Sequence, residues 1–200
     1  MDLKKNQYGN FSFFIVFLSF LYPFLNLDFF SINPVESILH YSGQSSMRFM
    51  LLTLAISPII KLFKKSYLIF FRKTFGLASF FYCLVHFLVY FIFELEKVNL
   101  SFLYFDALDR PFIFYGLMSF FCLIPLAITS NQKSIKKMGS VRWKKLHQLI
   151  YVSFAFSSFH YYFKSVSKEG PDLAFVYISI GLFLLFFRAF KFNFRSRISH

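Results

Sequence analysis

Cysteine, glycine and acidic side chains are all scarce in this chain, and each scarcity removes a class of protein. The two cysteines, Cys83 and Cys122, each lie inside an apolar run, so a disulfide framework is not supported and both read as small packing residues. The seven glycines form no glycine-rich phosphate loop, and no internal repeat, low-complexity tract or soluble cofactor domain is visible. Nine acidic residues against 22 lysines and arginines leave a formal net charge of +13. On a polar protein that excess would suggest nucleic acid, but here the basic residues cluster between apolar stretches, so no nucleic-acid partner is expected. A small-residue cleavage pattern is missing after the first apolar stretch as well. Leu21-Tyr22-Pro23-Phe24 simply continues it, and the segment is expected to remain in the protein.

What the chain has instead is hydrocarbon. Hydrophobic residues make up 57% of 200 positions and 35 of them are Phe, too little polar surface to cover a water-soluble globule. The lipid bilayer is the expected surrounding. Apolar runs fall at about 11–30, 47–63, 74–93, 111–130, 146–163 and 172–190, each near the roughly 20 residues that a spanning helix needs. They are apolar on all sides rather than alternating, which argues against a barrel. The expected fold is therefore all-α, a single domain over residues 1–200 built as a bundle of six transmembrane helices. Pro58 and Pro125 are expected to kink or end their helices, while Asn33-Pro34, Arg110-Pro111 and Gly170-Pro171 fall in connections.

Direction follows from charge. Lys4 and Lys5 precede the first run; Lys61, Lys64, Lys65, Arg72 and Lys73 lie between the second and third. Lys133, Lys136, Lys137, Arg142, Lys144 and Lys145 lie between the fourth and fifth, and Lys191, Arg195 and Arg197 follow the sixth. All fall on one side of an even-numbered bundle, which places both termini in the cytoplasm. Asp28, Glu36, Glu94, Glu96, Asp106, Asp109, Glu169 and Asp172 mark the opposite, outer loops.

Histidine inside such segments points to function, because an imidazole in hydrocarbon must be hydrogen-bonded, face water or ligate a metal. His86 and His160 lie on two spans that run the same way, about 18 and about 21 Å from the inner boundary at a rise of 1.5 Å per residue. Two neutral imidazoles facing each other at one level can take both axial positions of a haem iron. Ser79 and Cys83 share a helical face with His86, and Ser153 and Ser157 share one with His160, so small residues line the expected gap; small residues also serve plain helix contact. His147 lies near the inner boundary, about 220° around an ideal helix from His160. It is either a ligand of a second, inner haem or an interfacial residue. His40 is expected in an outer loop or cap, and His200 in the tail.

Several blocks resemble a known family: Arg72-Lys73-Thr74-Phe75-Gly76-Leu77 leading to His86, Arg142 to Tyr151 around Trp143 and His147, and His160-Tyr161. Asn33-Pro34-Val35-Glu36 with His40 and Gly43, Ser57-Pro58, Arg110-Pro111 with Gly116, and Thr129-Ser130 extend the match over Asn33 to Arg188. The chain resembles the haem-binding membrane subunits of protein-methionine-sulfoxide reductase systems, the MsrQ family, related to the transmembrane domain of ferric reductases and NADPH oxidases. The resemblance implies a b-type cytochrome of the bacterial inner membrane. It would take electrons from the quinone pool or a cytoplasmic flavin reductase and pass them to a periplasmic molybdopterin enzyme that reduces methionine sulfoxide. It implies haem b, one or two per chain, with His86 and His160 as the axial ligands of the outer haem and His147 as the candidate ligand of an inner one. Arg72 stands where a fourth histidine would be expected. FMN is also implied, without residues to hold it.

Arg48 and Arg110, at the expected outer ends of spans two and four, are candidate partners for haem propionates, with ordinary interfacial snorkelling as the alternative. Two other functions compete. A ferric or cupric reductase acting alone would need an outer metal site, and the outer loops hold no Cys or Met cluster. A transporter or structural protein would carry no redox cofactor, and no broken helix or inverted repeat supports a transporter.

Overall fold

The structure, a computed structural model, describes residues 2–25, 33–95, 98–168 and 172–196. Among them nine α-helices and no strand occur: α1 (Asp2–Leu25), α2 (Pro34–Phe63), α3 (Ile69–Val89), α4 (Leu100–Asp109), α5 (Pro111–Ile128), α6 (Gln132–Met138), α7 (Ser140–Leu146), α8 (Leu149–Lys168) and α9 (Asp172–Ser196). The all-α class expected from the sequence is what the chain adopts. By length and hydropathy, α2, α5 and the segment Ser66–Glu94 around α3 are fit to cross a membrane, and α1 and α9 carry shorter apolar stretches, Asn10–Pro23 and Leu173–Arg188. Asp28, Glu96, Glu169, Gly170-Pro171, Arg197 and His200 lie outside the described residues, as do the side chains of Lys4, Lys5, Asp172, Lys191 and Arg195.

The helix limits correct the hydropathy reading in four places. α2 begins at Pro34, not near Met47, because the Asn33 side chain accepts the Glu36 amide and Pro34 occupies the first turn. His40 is therefore a helical residue and not part of a loop. Pro58 and Pro125 sit inside α2 and α5, which run on for a short distance past each. α4 fills what read as an outer loop, and α6 and α7 fill the basic segment, joined at Gly139, whose φ of 79° suits glycine. α8 starts at Leu149 and not at Leu146, after a turn at His147 and Gln148, and it is not among the helices that length and hydropathy fit to a membrane.

Two antiparallel pairs, α2 with α3 and α5 with α8, are the closest-packed in the bundle. Met47, Met50, Leu51, Leu54, Leu123, Leu126, Ile150 and Phe154 form a core that joins α2, α5 and α8. A second core packs Phe49 and Ile56 of α2 against Phe71, Phe75, Ala78 and Tyr82 of α3. α1 docks on this pair through hydrogen bonds from Ser12 to Thr74 and between Ser19 and Tyr82. α9 docks through Gly181, where a β-carbon would stand 1.9 Å from Cζ of Phe154. Every buried polar residue among those described is Ser or Thr, the small-residue interface expected where hydrophobicity cannot drive helices together. Phe13, Leu100, Phe105, Phe183 and Phe186 point outward, each more than half exposed, a surface suited to lipid and not to water.

Candidate functional site

His86 on α3 and His160 on α8 meet between the two pairs, their ring centroids 5.8 Å apart and their planes at 86°. His86 Nδ1 donates to the carbonyl of Leu39 at 2.9 Å, and His160 Nδ1 donates to the carbonyl of Phe112 at 2.6 Å. A carbonyl can only accept, so each Nδ1 carries the proton and each Nε2 keeps its lone pair. Both rings lie close against glycine. A β-carbon at Gly43 would stand 3.0 Å from His86 Nδ1, and one at Gly116 would stand 2.8 Å from His160 Nδ1. Both imidazoles line one cavity.

The two halves of this arrangement repeat. On α2, Leu39, Gly43 and Ser46 supply carbonyl, clearance and hydroxyl; on α5, Phe112, Gly116 and Ser119 do the same, 73 residues later. Ser79 precedes His86 by two turns of α3 as Ser153 precedes His160 on α8, 74 residues later. Ser46 and Ser79 exchange hydroxyl-to-carbonyl bonds, each 2.9 Å, and Ser119 and Ser153 do the same at 3.1 and 3.2 Å. The chain thus contains an internal repeat that the sequence did not reveal, since only a handful of functional positions keep their identity. Ser79 and Ser153 are spent on closing each pair, while Cys83 and Ser157 border the cavity.

The donor set fits a haem. Two imidazoles, each with its proton on Nδ1 and its lone pair on Nε2, stand with ring centroids 5.8 Å apart. Among the described residues no group of three or more His, Cys, Asp or Glu gathers to hold a bare ion. A tetrapyrrole iron asks the protein for two axial ligands only.

Arg48 and Arg110 do not line the cavity. Arg48 donates through Nε to the Tyr177 hydroxyl on α9 and through a terminal nitrogen to Gln44. Arg110 caps α5 and forms a bidentate pair with Asp106, which also accepts from the Tyr90 hydroxyl. That carboxylate raises the guanidinium pKa further. His40 and Lys164, which the sequence reading left aside, do line the cavity. The one sequence signal for Lys164 is its place one turn after His160 in an apolar helix.

His147 lies apart, in the turn between α7 and α8, stacked on Trp143 at 3.9 Å. Its Nε2 is 3.1 Å from Oγ1 of Thr129. That hydroxyl spends its single proton on the Pro125 carbonyl, so His147 must donate from Nε2, and its lone pair is on Nδ1. Burial, with Arg72 nearby, holds its pKa below the ordinary histidine value. The break in the helix removes the 220° conflict with His160, because the two residues do not share one straight rod.

Residues 42–158, which hold both glycines, all four paired serines and His86, match the family described as the ferric reductase like transmembrane component. The chain belongs to that family, in its MsrQ branch. A relative from Herminiimonas arsenicoxydans, named protein-methionine-sulfoxide reductase heme-binding subunit MsrQ, is 34% identical over 88% of this chain and 83% of its own length. Relatives of the same name from Brucella ovis and Brucella canis are 38% identical over 82% of this chain and 73% of theirs. With the family, the outward phenylalanines find their explanation: this is a multi-pass membrane protein.

Proposed function

We propose that this chain is the haem-binding membrane subunit of a protein-methionine-sulfoxide reductase system and carries electrons across the bilayer to the reductase. The observation that carries the proposal is the matched pair of Nδ1-to-carbonyl bonds, which turns both histidines into the tautomer that ligates through Nε2. When bound, haem supplies a one-electron centre. His86 and His160 would hold its iron. The carbonyls of Leu39 and Phe112 fix the rings, and Gly43 and Gly116 let the rings come that close to α2 and α5. Phe87 and Phe120, stacked 5.0 Å apart beside the cavity, keep water from it. Cys83 and Cys122 are on different helices, with no Cys-x-x-Cys-His motif for covalent attachment, which supports a non-covalently held, b-type haem.

His147, with Nδ1 as its ligating nitrogen and Arg72 near it, is the candidate holder of a second haem toward the inner face. The basic clusters support an inner-membrane protein with cytoplasmic termini. In this reading the donor is the quinone pool or a cytoplasmic flavin reductase, and the acceptor is a periplasmic molybdopterin enzyme that repairs oxidised methionine. FMN belongs to the family expectation, with no residues assigned to it.

The test is the dithionite-reduced minus oxidised spectrum of the purified full chain. A b-type α band is expected, and the part of it that belongs to the His86–His160 haem is expected to be lost on His86→Ala or His160→Ala alone. A chain without the band overturns the redox reading, and normal haem content in either variant overturns the ligand pair. His147→Ala is expected to lower haem per chain, measured as pyridine haemochrome, while leaving the His86–His160 signal in place.

A further inference from the structure

From Arg110 to Lys168 the chain contains no Asp and no Glu, and six basic side chains fall within 13 of those residues: Lys133, Lys136, Lys137, Arg142, Lys144 and Lys145. All six are exposed, and none of them meets a carboxylate among the described residues. They are not strung along a loop. Asn131 caps α6 by accepting the Ser134 amide, Gly139 turns the chain, and Trp143 of α7 is tied down by donating Nε1 to the Thr129 carbonyl at 2.9 Å. Ile135 and Met138 of α6 and Leu146 of α7 are partly buried, so the charges stand on the outer side of a fixed helical hairpin. Like charges held together repel one another, and an anionic surface laid against them relieves the repulsion. A lipid surface fits poorly, because a helix that lies among headgroups must offer them apolar side chains. Those of α6 are turned to the protein, and Val141, 78% exposed, is the one exposed apolar residue from Gln132 to Leu146.

We infer that the exposed face of α6 and α7 is the docking surface for a soluble redox protein whose cofactor is ringed by acidic side chains. The inference rests on the electron-carrying function proposed above and adds to it the place and the charge of the donor's contact. Trp143 stacks on His147 at the root of α8, so a partner held by the lysines is brought to the inner end of the helix that carries His160. Each encounter takes one electron from the donor's cofactor and gives it to the ferric iron held by His86 and His160, which becomes ferrous; no atom changes hands. Complementary charge of this kind acts mainly on the rate of encounter, which it raises roughly 10- to 1000-fold at low salt.

The experiment follows haem reduction in the full chain, held in phosphatidylcholine nanodiscs, by two probes: the hydroquinone of flavodoxin, an acidic protein, and photoreduced riboflavin, a small molecule. The wild-type rate with flavodoxin is expected to fall about tenfold or more as salt rises from about 20 to about 500 mM. Replacing Lys136, Lys137, Lys144 and Lys145 together by Gln is expected to slow flavodoxin about tenfold at low salt and to leave riboflavin within about twofold. The same replacement of Lys61, Lys64, Lys65 and Lys73, exposed at the turn between α2 and α3, is expected to stay within about threefold for both probes, since they lie off the docking face. An unchanged flavodoxin rate in the first variant overturns the inference, and so does equal slowing of both probes. Equal losses in the two variants also overturn it, because the field of the whole inner face would then suffice. Loss of co-purifying phosphatidylglycerol from the first variant, with its flavodoxin rate intact, gives the patch to the membrane instead. A starting chain without the α band overturns the haem reading itself, which tells that failure from the others.

Discussion

Gly116 and His160 approach so closely that a β-carbon on the glycine would stand 2.8 Å from Nδ1 of the imidazole, on the atom that donates to Phe112. The clearance and the hydrogen bond are therefore one device. A methyl group there pushes the ring from its acceptor and turns Nε2 away from the cavity. Gly116→Ala is expected to cost about 1–3 kcal/mol through overpacking and to lower haem content. Gly43→Ala, with 3.0 Å available at His86, is expected to act the same way but more weakly. Haem-to-protein ratio and the low-spin ferric EPR signal check both; unchanged signals in both variants would contradict the arrangement.

Gly181 meets Phe154 more tightly still, since a β-carbon added to the glycine would lie 1.9 Å from the ring's Cζ. Gly181→Ala must separate α9 from α8 or rotate a ring buried to 2% exposure. A loss of about 2 kcal/mol or more is expected, read as a lower unfolding midpoint in detergent, with the spectrum of the folded fraction preserved.

Ser119 and Ser153 bond each other's backbone carbonyl, and Ser119 also reaches the Ser157 hydroxyl at 2.6 Å. Ser119→Ala removes the hydroxyl that Ser153 and Ser157 meet but keeps the carbonyl to which Ser153 donates. A double-mutant cycle with Ser153→Ala is expected to give a coupling of about 0.6–1.7 kcal/mol, the range for hydrogen bonds between membrane helices. Strict additivity would show that the 2.9 Å contact between the two hydroxyls contributes nothing.

Asp106 ties three segments together, accepting from Tyr90 after α3, from Arg110 at the head of α5, and standing on α4 itself. Arg110 is 46% exposed in its side chain, so solvent screens that ion pair to about 1 kcal/mol or less. The Tyr90 bond adds about 1 kcal/mol. Asp106→Asn is accordingly expected to lower stability by about 1–2 kcal/mol and to leave haem content near normal, checked by thermal unfolding beside the visible spectrum.

Much of this was legible in the sequence because a bilayer imposes simple rules. Long apolar runs with basic loops gave the all-α class and the places of α1, α2, α3, α5, α8 and α9. Equal depth on two parallel helices brought His86 and His160 to one level, and they do meet there, with their ring planes crossed at 86°. Hydropathy missed the first turns of α2, since Ser37, His40, Ser42, Gln44, Ser45 and Ser46 read as polar loop. In fact Ser42, Ser45 and Ser46 are buried against neighbouring helices. The carbonyls of Leu39 and Phe112 leave no trace in side-chain identity at all. The arginines went to other partners for a related reason. Charge says that a residue seeks an anion, but only packing says which one, and for Arg110 it is Asp106 one turn away.

The recurrence of carbonyl, glycine, serine and histidine at a spacing of 73–74 residues means that each helical hairpin presents one imidazole in the same setting. On the proposed function, neither hairpin alone would offer both axial nitrogens, so whatever spreads the two hairpins apart would release the cofactor.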